Sequence, residues 1–320
     1  MLNEIIHGDC LQVMKEIPDK SIDLIVTDPP YNIGKAEWDK IDNYVEWMGT
    51  VFLECQRVLK DNGSFYWFHN DFEQMAELQV WLKKNTRFVF NSFITWDKGD
   101  FRALAWKNPS EESNLRSWFG TSEYCLFYTF QDETGLTTVM LDTNNFPTMR
   151  KYFKDLQEWI GLGLKKINER LGHRKAEHAF YWKTTQWDMP TEKTYNQLIE
   201  EFLIDKWDGF KEYESLRQEY ESLRYTHNLD PNHNNVWRLT TKNTGKRHVC
   251  EKPVELMERI IKCSSNDSDT ILDPFIGSGT TAIASLNTGR FFIGIEKDEH
   301  YYQVATNRVQ EWHDNRGLFT

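Results

Sequence analysis

The chain has 320 residues, 39% of them hydrophobic, and its 38 lysines and arginines against 49 aspartates and glutamates leave a formal charge of −11. That length suits about two domains, or one large α/β unit carrying an insertion, and no apolar run approaches the ~20 residues of a membrane-spanning helix. An acidic chain repels a polyanion unless its basic residues gather on one face, so a nucleic-acid reading has to locate that face. The opening Met1-Leu2-Asn3-Glu4-Ile5-Ile6-His7-Gly8-Asp9 lacks the basic stretch and apolar core of a secretory signal, and the expectation is a soluble, cytoplasmic protein. The cysteines Cys10, Cys55, Cys125, Cys250 and Cys263 are scattered without a CxxC pair, which speaks against a zinc ribbon or a disulfide framework and for reduced thiols. His173 and His178 stand five apart without nearby ligands, and no metal is implied.

In chain order, Ser21 to Thr27 is a β-branched apolar run stopped by Asp28-Pro29-Pro30. Two prolines cannot continue a central strand or a helix interior, so the chain leaves the sheet there. Tyr44 to Leu59 carries Val45, Met48, Phe52 and Val58 at helical spacing, Asp61-Asn62-Gly63 is expected to end that helix, and Ser64 to Phe68 reads as the next strand. Phe88 to Trp96 and Glu123 to Phe130 are further strands. Between about 131 and 235 strand-like runs thin out and Tyr213, Leu216, Tyr220 and Leu223 mark an amphipathic helix, packed on its own domain or presented to a partner. From about 236 the α/β texture returns: a helix opened by Pro253 with Leu256, Ile260 and Ile261 on one face, a strand at Thr270 to Leu272, a helix at Ala282 to Leu286, and a strand from Phe291 to Ile295 closed by Glu296. The expected organisation is an α/β domain in two halves, 1–130 and 236–320, with a largely helical insertion at 131–235.

Two stretches carry chemistry. Gly277 and Gly279 lie between a strand and a helix, where missing side chains let backbone amides approach a ligand. Glu296 ends the following strand at about the 20-residue spacing at which an acid takes a ribose hydroxyl pair. The turn has no P-loop lysine, so a nucleoside without a triphosphate fits better. In Thr27-Asp28-Pro29-Pro30-Tyr31-Asn32, two prolines stiffen a loop at a strand's carboxyl end. Asp28 and the Pro29 carbonyl then become fixed acceptors beside the flat face of Tyr31, a clamp for a planar ring with an exocyclic amino group. The blander reading is an Asp-Pro-Pro turn that ends a strand.

Asp28-Pro29-Pro30-Tyr31 and Asp273-Pro274-Phe275-Ile276-Gly277-Ser278-Gly279-Thr280-Thr281 resemble the catalytic and cofactor motifs of the S-adenosylmethionine-dependent DNA amino-methyltransferases, in the order of their circularly permuted β group. His248-Val249-Cys250-Glu251-Lys252-Pro253 resembles that family's histidine-to-Lys-Pro stretch, with Val249 where proline is usual. The resemblance covers about 1–130 and 236–320. It implies a doubly wound, mostly parallel, Rossmann-like sheet with both motifs at the carboxyl ends of neighbouring strands. It implies S-adenosylmethionine as cofactor, with its methionine part along Gly277, Ser278, Gly279, Thr280, Thr281 and Lys252, its ribose on Glu296 and its adenine near Asp9; Asp273 and Phe275, which open that motif, are cofactor-binding as well. It also implies a target base flipped out of double-stranded DNA into the clamp of Asp28, Pro29, Pro30 and Tyr31, and direct methyl transfer to its amino group.

Cytosine C5 chemistry is set aside, since that family's nucleophilic cysteine usually follows proline and no Pro-Cys dipeptide occurs. Aspartate at the first clamp position resembles the adenine-N6 enzymes more often, serine the cytosine-N4 enzymes, and both remain open. A catalytically silent DNA-binding subunit would be expected to lose the clamp or the glycines, and here both stand. The basic face is sought in Arg238, Lys242, Lys246 and Arg247, with Lys165, Lys166, Arg174, Lys175 and Lys183 as a second cluster. Trp182, Trp187 and Trp237 invite a base-stacking reading, although tryptophan is more often core. A homodimer and a cognate restriction enzyme stand as candidate partners beside DNA.

Overall fold

The computed structural model describes residues 2–34, 39–99, 121–130, 147–184, 186–223, 230, 233–239 and 251–317. The chain divides into two compact units, 1–130 with 226–320, and 131–225.

The first unit is built on a sheet. Its strands are β1 (Glu4–His7), β2 (Ile22–Thr27), β3 (Leu59–His69), β4 (Val89–Asp97), β5 (Ser122–Thr129), β6 (Val236–Arg238), β7 (Thr270–Asp273) and β8 (Phe291–Glu296), in the spatial order β1-β8-β7-β2-β3-β5-β4-β6. Every pairing is parallel except those of β5, which runs against both β3 and β4. Helices α1 (Cys10–Val13), α2 (Tyr44–Val58) and α3 (Phe72–Asn85) belong to this unit, as do helices at Val254–Ser264, Thr280–Asn287 and Glu299–Gly317.

Helices on both faces explain why the central strands are apolar without alternation. Along β3, Phe65 and Trp67 point into the cluster shared with α1, α2 and α3, where Phe52 lies 5.5 and 5.4 Å from their rings. Tyr66, between them, turns to the other face and hydrogen-bonds Ser264 at 2.8 Å. Ile5, Phe292, Ile276, Ala282, Leu286 and Ala305 form the smaller core on that second face.

Asp61-Asn62-Gly63 does not end α2, as the sequence suggested. The helix stops at Val58, and these residues lie inside β3, where the pairing with β2 jumps from Ile22↔Leu59 to Leu24↔Ser64. The turn-forming residues are used for a bulge: a side chain at Gly63 would meet Leu59 and the Asp23 carbonyl within 3 Å. Helix α3 presents Met75, Leu78 and Leu82 to the core at helical spacing and is held at its start by Asp71, whose carboxylate accepts the Gln74 N–H at 2.9 Å.

The second unit comprises α4 (Pro147–Ile160), α5 (Leu164–Leu171), α6 (Glu192–Phe202) and α7 (Tyr213–Leu223). Its core joins Met149, Phe153, Leu156, Ile167, Tyr195, Leu198, Ile204 and Leu216. Tyr152 and Tyr195 share a buried 2.6 Å hydroxyl contact, and Tyr195 donates to the Lys211 carbonyl. Leu216 is fully buried with Tyr213 and Tyr220 packed beside it, so α7 faces its own unit. Trp187 and Trp237 are likewise buried within their own units. Trp182 is half-buried, with Lys183 over its ring at 4.7 Å and its N–H on Gln157.

Truncating Phe52 to Ala is expected to cost about 3–5 kcal/mol through the cavity between Phe65 and Trp67, read as a lower urea midpoint. Phe52→Leu should lose clearly less, and equal losses would contradict a close-packed core there.

Candidate active site

The order of the strands places the site. From β7 the chain proceeds through its following helix to β8, on one side; from β2 it proceeds through α2 to β3, on the other. The crevice between two such diverging units, at the carboxyl ends of their strands, is where open α/β sheets bind ligands. β2 and β7 are direct neighbours, paired at Leu24↔Ile271 and Ile25↔Leu272, and end one residue before Asp28 and at Asp273. β1 and β8 finish the row, with His7 opposite Glu296 and Asp9 just beyond. The resulting cavity of about 660 Å³ is lined by Asp9, Asp28, Pro29, Pro30, Tyr31, Lys252, Asp273, Phe275, Gly277, Ser278, Thr280, Thr281 and Glu296, among others. Its volume is that of a small-molecule site. Residues over 250 apart in sequence thus share one wall.

On the glycine side, Gly277 (φ 53°) and Gly279 (φ 82°) adopt the left-handed backbone that only glycine takes freely. A side chain at Gly279 would also press on Ala305 at 3.2 Å. Glu296 accepts the Gly277 N–H at 2.9 Å and the Asp298 N–H at 2.8 Å, which pins the turn to the end of β8; burial raises its pKa above the usual carboxylate range. Asp9 caps α1 by accepting the Leu11 N–H and pairs with Lys297 at 3.2 Å. Asp273 is buried and accepts Thr27 Oγ1 (3.0 Å), Thr281 Oγ1 (2.6 Å) and the Phe275 N–H (3.1 Å). It thereby ties the two neighbouring strand ends together, and burial pushes its carboxyl up to about 7. Arg308, from the C-terminal helix, donates to the Ser278 carbonyl and Thr280 Oγ1 and pairs with Glu251 at 2.9 Å.

The Asp-Pro-Pro-Tyr side is organised by a buried ammonium. Lys252 Nζ lies 2.5 Å from Asp28 Oδ2, 3.0 Å from Glu123 Oε2 and 3.1 Å from the Tyr31 hydroxyl, and it faces the rings of Phe68 and Tyr31. Tyr31 in turn donates to Asp28 Oδ1 at 2.5 Å. Burial opposes the charge on Lys252, but Asp28 and Glu123 more than offset it and hold its pKa above the ordinary lysine value. Burial would also raise Glu123; Lys252 and Lys98, the latter 2.6 Å from Oε1, bring it down to about 2. Lys252, expected along the cofactor's methionine part, is therefore turned toward Asp28 within the same cavity.

The loop itself is fastened from behind. Tyr44 donates to the Pro30 carbonyl at 2.6 Å and contacts His69 Nε2 at 3.1 Å, while His69 Nδ1 accepts the Asp71 N–H. Burial draws the His69 pKa down to about 4, so the ring is neutral and its Nε2 carries the proton toward Tyr44. Tyr31 packs on that ring at 4.7 Å, and Gln74 donates to the Tyr31 carbonyl. After Tyr31, the Asp39 carboxylate accepts the amides of Asn32 and Ile33, closing the loop on itself.

Arg238 is exposed at the end of β6, opposite Asp97, while Lys242, Lys246 and Arg247 lie outside the described residues. In the second unit Lys165 and Arg174 pair with Glu169 and Glu177, which cancels part of the expected basic cluster. Glu123, Lys98, His69, Tyr44, Asp39 and Arg308 carried no local motif; only their positions at strand ends and on helices that converge here bring them to the site.

Known proteins share this family and this fold. A family model described as DNA methylase, of the N6/N4 methyltransferase type, matches residues 22–307. The DNA adenine methyltransferase YhdJ of Escherichia coli K12 is 29% identical over 315 residues, covering 95% of this chain and 82% of the relative. The crystal structure of the M1.HpyAVI–SAM complex shares the fold at a TM-score of 0.52, with 21% identity over 95% of this chain and 98% of the other. The cytosine-N4-specific PvuII DNA methyltransferase does so at 0.55, with 13% identity over 95% and 85%.

Asp273 also predicts a pH dependence. An unfolded aspartate ionises near its ordinary 3.8, whereas folded Asp273 does so at about 7. Between those values the folded chain holds the extra proton, so this group's contribution to stability falls as pH rises and levels off above 7. Urea midpoints at pH 5 and pH 8 should therefore fall less for Asp273→Asn than for the unaltered chain; parallel losses would remove Asp273 as the source.

Proposed function

The chain belongs to the N6/N4 DNA methylase family, and on that premise we propose that it transfers a methyl group from S-adenosylmethionine to the N6 amino group of adenine at specific sites in duplex DNA. The observation that carries this reading is the meeting of Asp28-Pro29-Pro30-Tyr31 and the glycine turn in one cavity, at the ends of paired neighbouring strands.

The cavity fits the cofactor. Left-handed Gly277 brings bare backbone to the cavity wall, and Asp9 and Glu296 line the same cavity as acceptors for polar groups of a nucleoside. We assign Glu296 to the ribose hydroxyls, Asp9 to the adenine end, and the stretch Phe275 to Thr281 to the methionine part. S-adenosylmethionine supplies an electrophilic methyl group on sulfonium. Lys252 we assign to the acceptor side, because its ammonium is committed to Asp28 and Glu123.

The protein's share of the chemistry is placement. A base inside the duplex cannot reach this crevice, so it must be flipped out of the stack. The Asp28 carboxylate and the Pro29 carbonyl accept the amino protons, which draws the nitrogen lone pair out of conjugation and aims it at the methyl group. Tyr31, backed by His69, closes one side, and the Tyr44 hydrogen bond to the Pro30 carbonyl fixes the loop that carries both acceptors. Positioning and preorganised acceptors are the sources of rate that this chain's own residues would supply.

Aspartate at the head of the clamp and the likeness to an adenine methyltransferase support adenine; the fold is equally that of a cytosine-N4 enzyme, which makes N4 transfer the second reading. Arg238 is the described candidate for a phosphate contact, joined by Lys242, Lys246 and Arg247 in sequence. A homodimer and a cognate restriction enzyme are proposed as further partners.

Labelled S-adenosylmethionine incubated with mixed genomic DNA, followed by nucleoside chromatography, should place the label in N6-methyladenine; label in N4-methylcytosine would replace the base assignment and keep the scaffold. Asp28→Ala should lower transfer by at least about 10²-fold while cofactor binding, read by calorimetry, changes little. Equal loss of both would undo the division between acceptor and cofactor sides.

A further inference from the structure

The Asp28 carboxylate is already engaged: Tyr31 donates to one oxygen and Lys252 to the other, each at 2.5 Å. A target amino group therefore arrives at an acceptor whose Oδ2 carries a buried ammonium. Removing that ammonium from its counterion without a substitute would strand a desolvated charge, which is strongly unfavourable. Lys252 has a second anion within reach, Glu123 Oε2 at 3.0 Å. Glu123 is itself held at its other oxygen by Lys98 at 2.6 Å, and the side chains of both are about nine-tenths buried.

These four charges form a closed row, Lys98–Glu123–Lys252–Asp28, with zero net charge. Their origins explain how they meet. Lys98 follows the end of β4, and Glu123 lies at the start of β5, which runs against both its neighbours. Because β5 is reversed, its first residues, not its last, lie at the sheet edge where β2 delivers Asp28. Both ammonium groups face the Trp96 ring, Lys98 Nζ at 5.7 Å and Lys252 Nζ at 5.9 Å from its centroid.

We propose that Glu123, anchored by Lys98, is a positioning residue that takes over the Lys252 ammonium when the target amino group engages Asp28. The exchange needs only a small shift of Nζ along a line it already bridges, and the buried cation is never without an anion. The proposal rests on the reading of Asp28 as the amino-group acceptor. Replacing Glu123 by the neutral glutamine leaves Lys252 with Asp28 as its sole anion in the row, so the ammonium competes with the substrate at Oδ2.

Glu123→Gln is expected to lower kcat for methyl transfer by about 10–100-fold with KM for S-adenosylmethionine within about twofold, the pattern of an interaction made after the cofactor is bound. Glu123→Asp, which keeps the charge, should retain more of kcat than the glutamine variant. The double variant Lys98→Met/Glu123→Gln removes one charge of each sign and restores neutrality, so it should recover thermal stability lost in the single variant but not kcat. It also serves if the single variant does not fold. Recovery of kcat in the double variant, or a glutamine variant within about threefold of the unaltered enzyme, would overturn the role of Glu123. Asp28→Ala assayed alongside separates the two failures. If that variant still transfers methyl groups, the acceptor reading falls and this proposal with it; if it is inactive while Glu123→Gln is fully active, only the role of Glu123 falls.

Discussion

A single buried ammonium holds the Asp28–Tyr31 side of this site together. Lys252 is almost inaccessible, and its charge is sustained because Asp28, Glu123 and the Tyr31 hydroxyl surround it with acceptors contributed by different parts of the chain. Burying a lysine is expensive, and pairing it with one carboxylate often does no better than break even. Here two carboxylates and a second lysine bring the row to neutrality. Such an arrangement does less for stability than for geometry: it leaves Asp28 one orientation.

The same economy of position runs along the carboxyl edge of the sheet. Asp9, Glu296, Asp273 and Asp28 follow or end four strands that lie side by side, β1, β8, β7 and β2. Asp273, at the end of β7, holds Thr27 on β2 and Thr281 in the helix that follows the glycine turn, so the Asp28–Tyr31 loop and that turn are braced against each other by buried hydrogen bonds. Behind the Asp28–Tyr31 loop, Tyr44 and His69 form a second brace from α2 and β3. Movement of either motif would have to break contacts that have no solvent to replace them, which is what preorganisation requires.

The second unit has a core of its own, and its aromatic side chains are largely spent on it. Phe153, Tyr152, Tyr195, Phe180 and Trp187 pack together, and several basic residues are matched with acids one helical turn away. A reading of the unit as a basic, aromatic surface is therefore narrower than its composition suggests. Half-buried Trp182, with Lys154 and Lys183 against its ring, keeps a mixed character.

The sequence by itself determined the parts of this protein whose cause is local. Proline pairs cannot remain in a strand, glycines are needed where the backbone turns left-handed, and apolar runs and helical spacing mark the layers; from these the two motifs, the principal strands of the sheet and its α/β character were legible. Asp61-Asn62-Gly63 shows the limit: the same turn-forming residues serve a helix end or a bulge, and only pairing with β2 chose the bulge. The tertiary structure alone decided which motifs are neighbours, that β5 runs backward, and that Lys252 faces Asp28 rather than the glycine turn. Those outcomes depend on strand order and on the need of each buried charge for a partner. Residues 28, 123 and 252 acquire a common chemistry only when the sheet has closed around them.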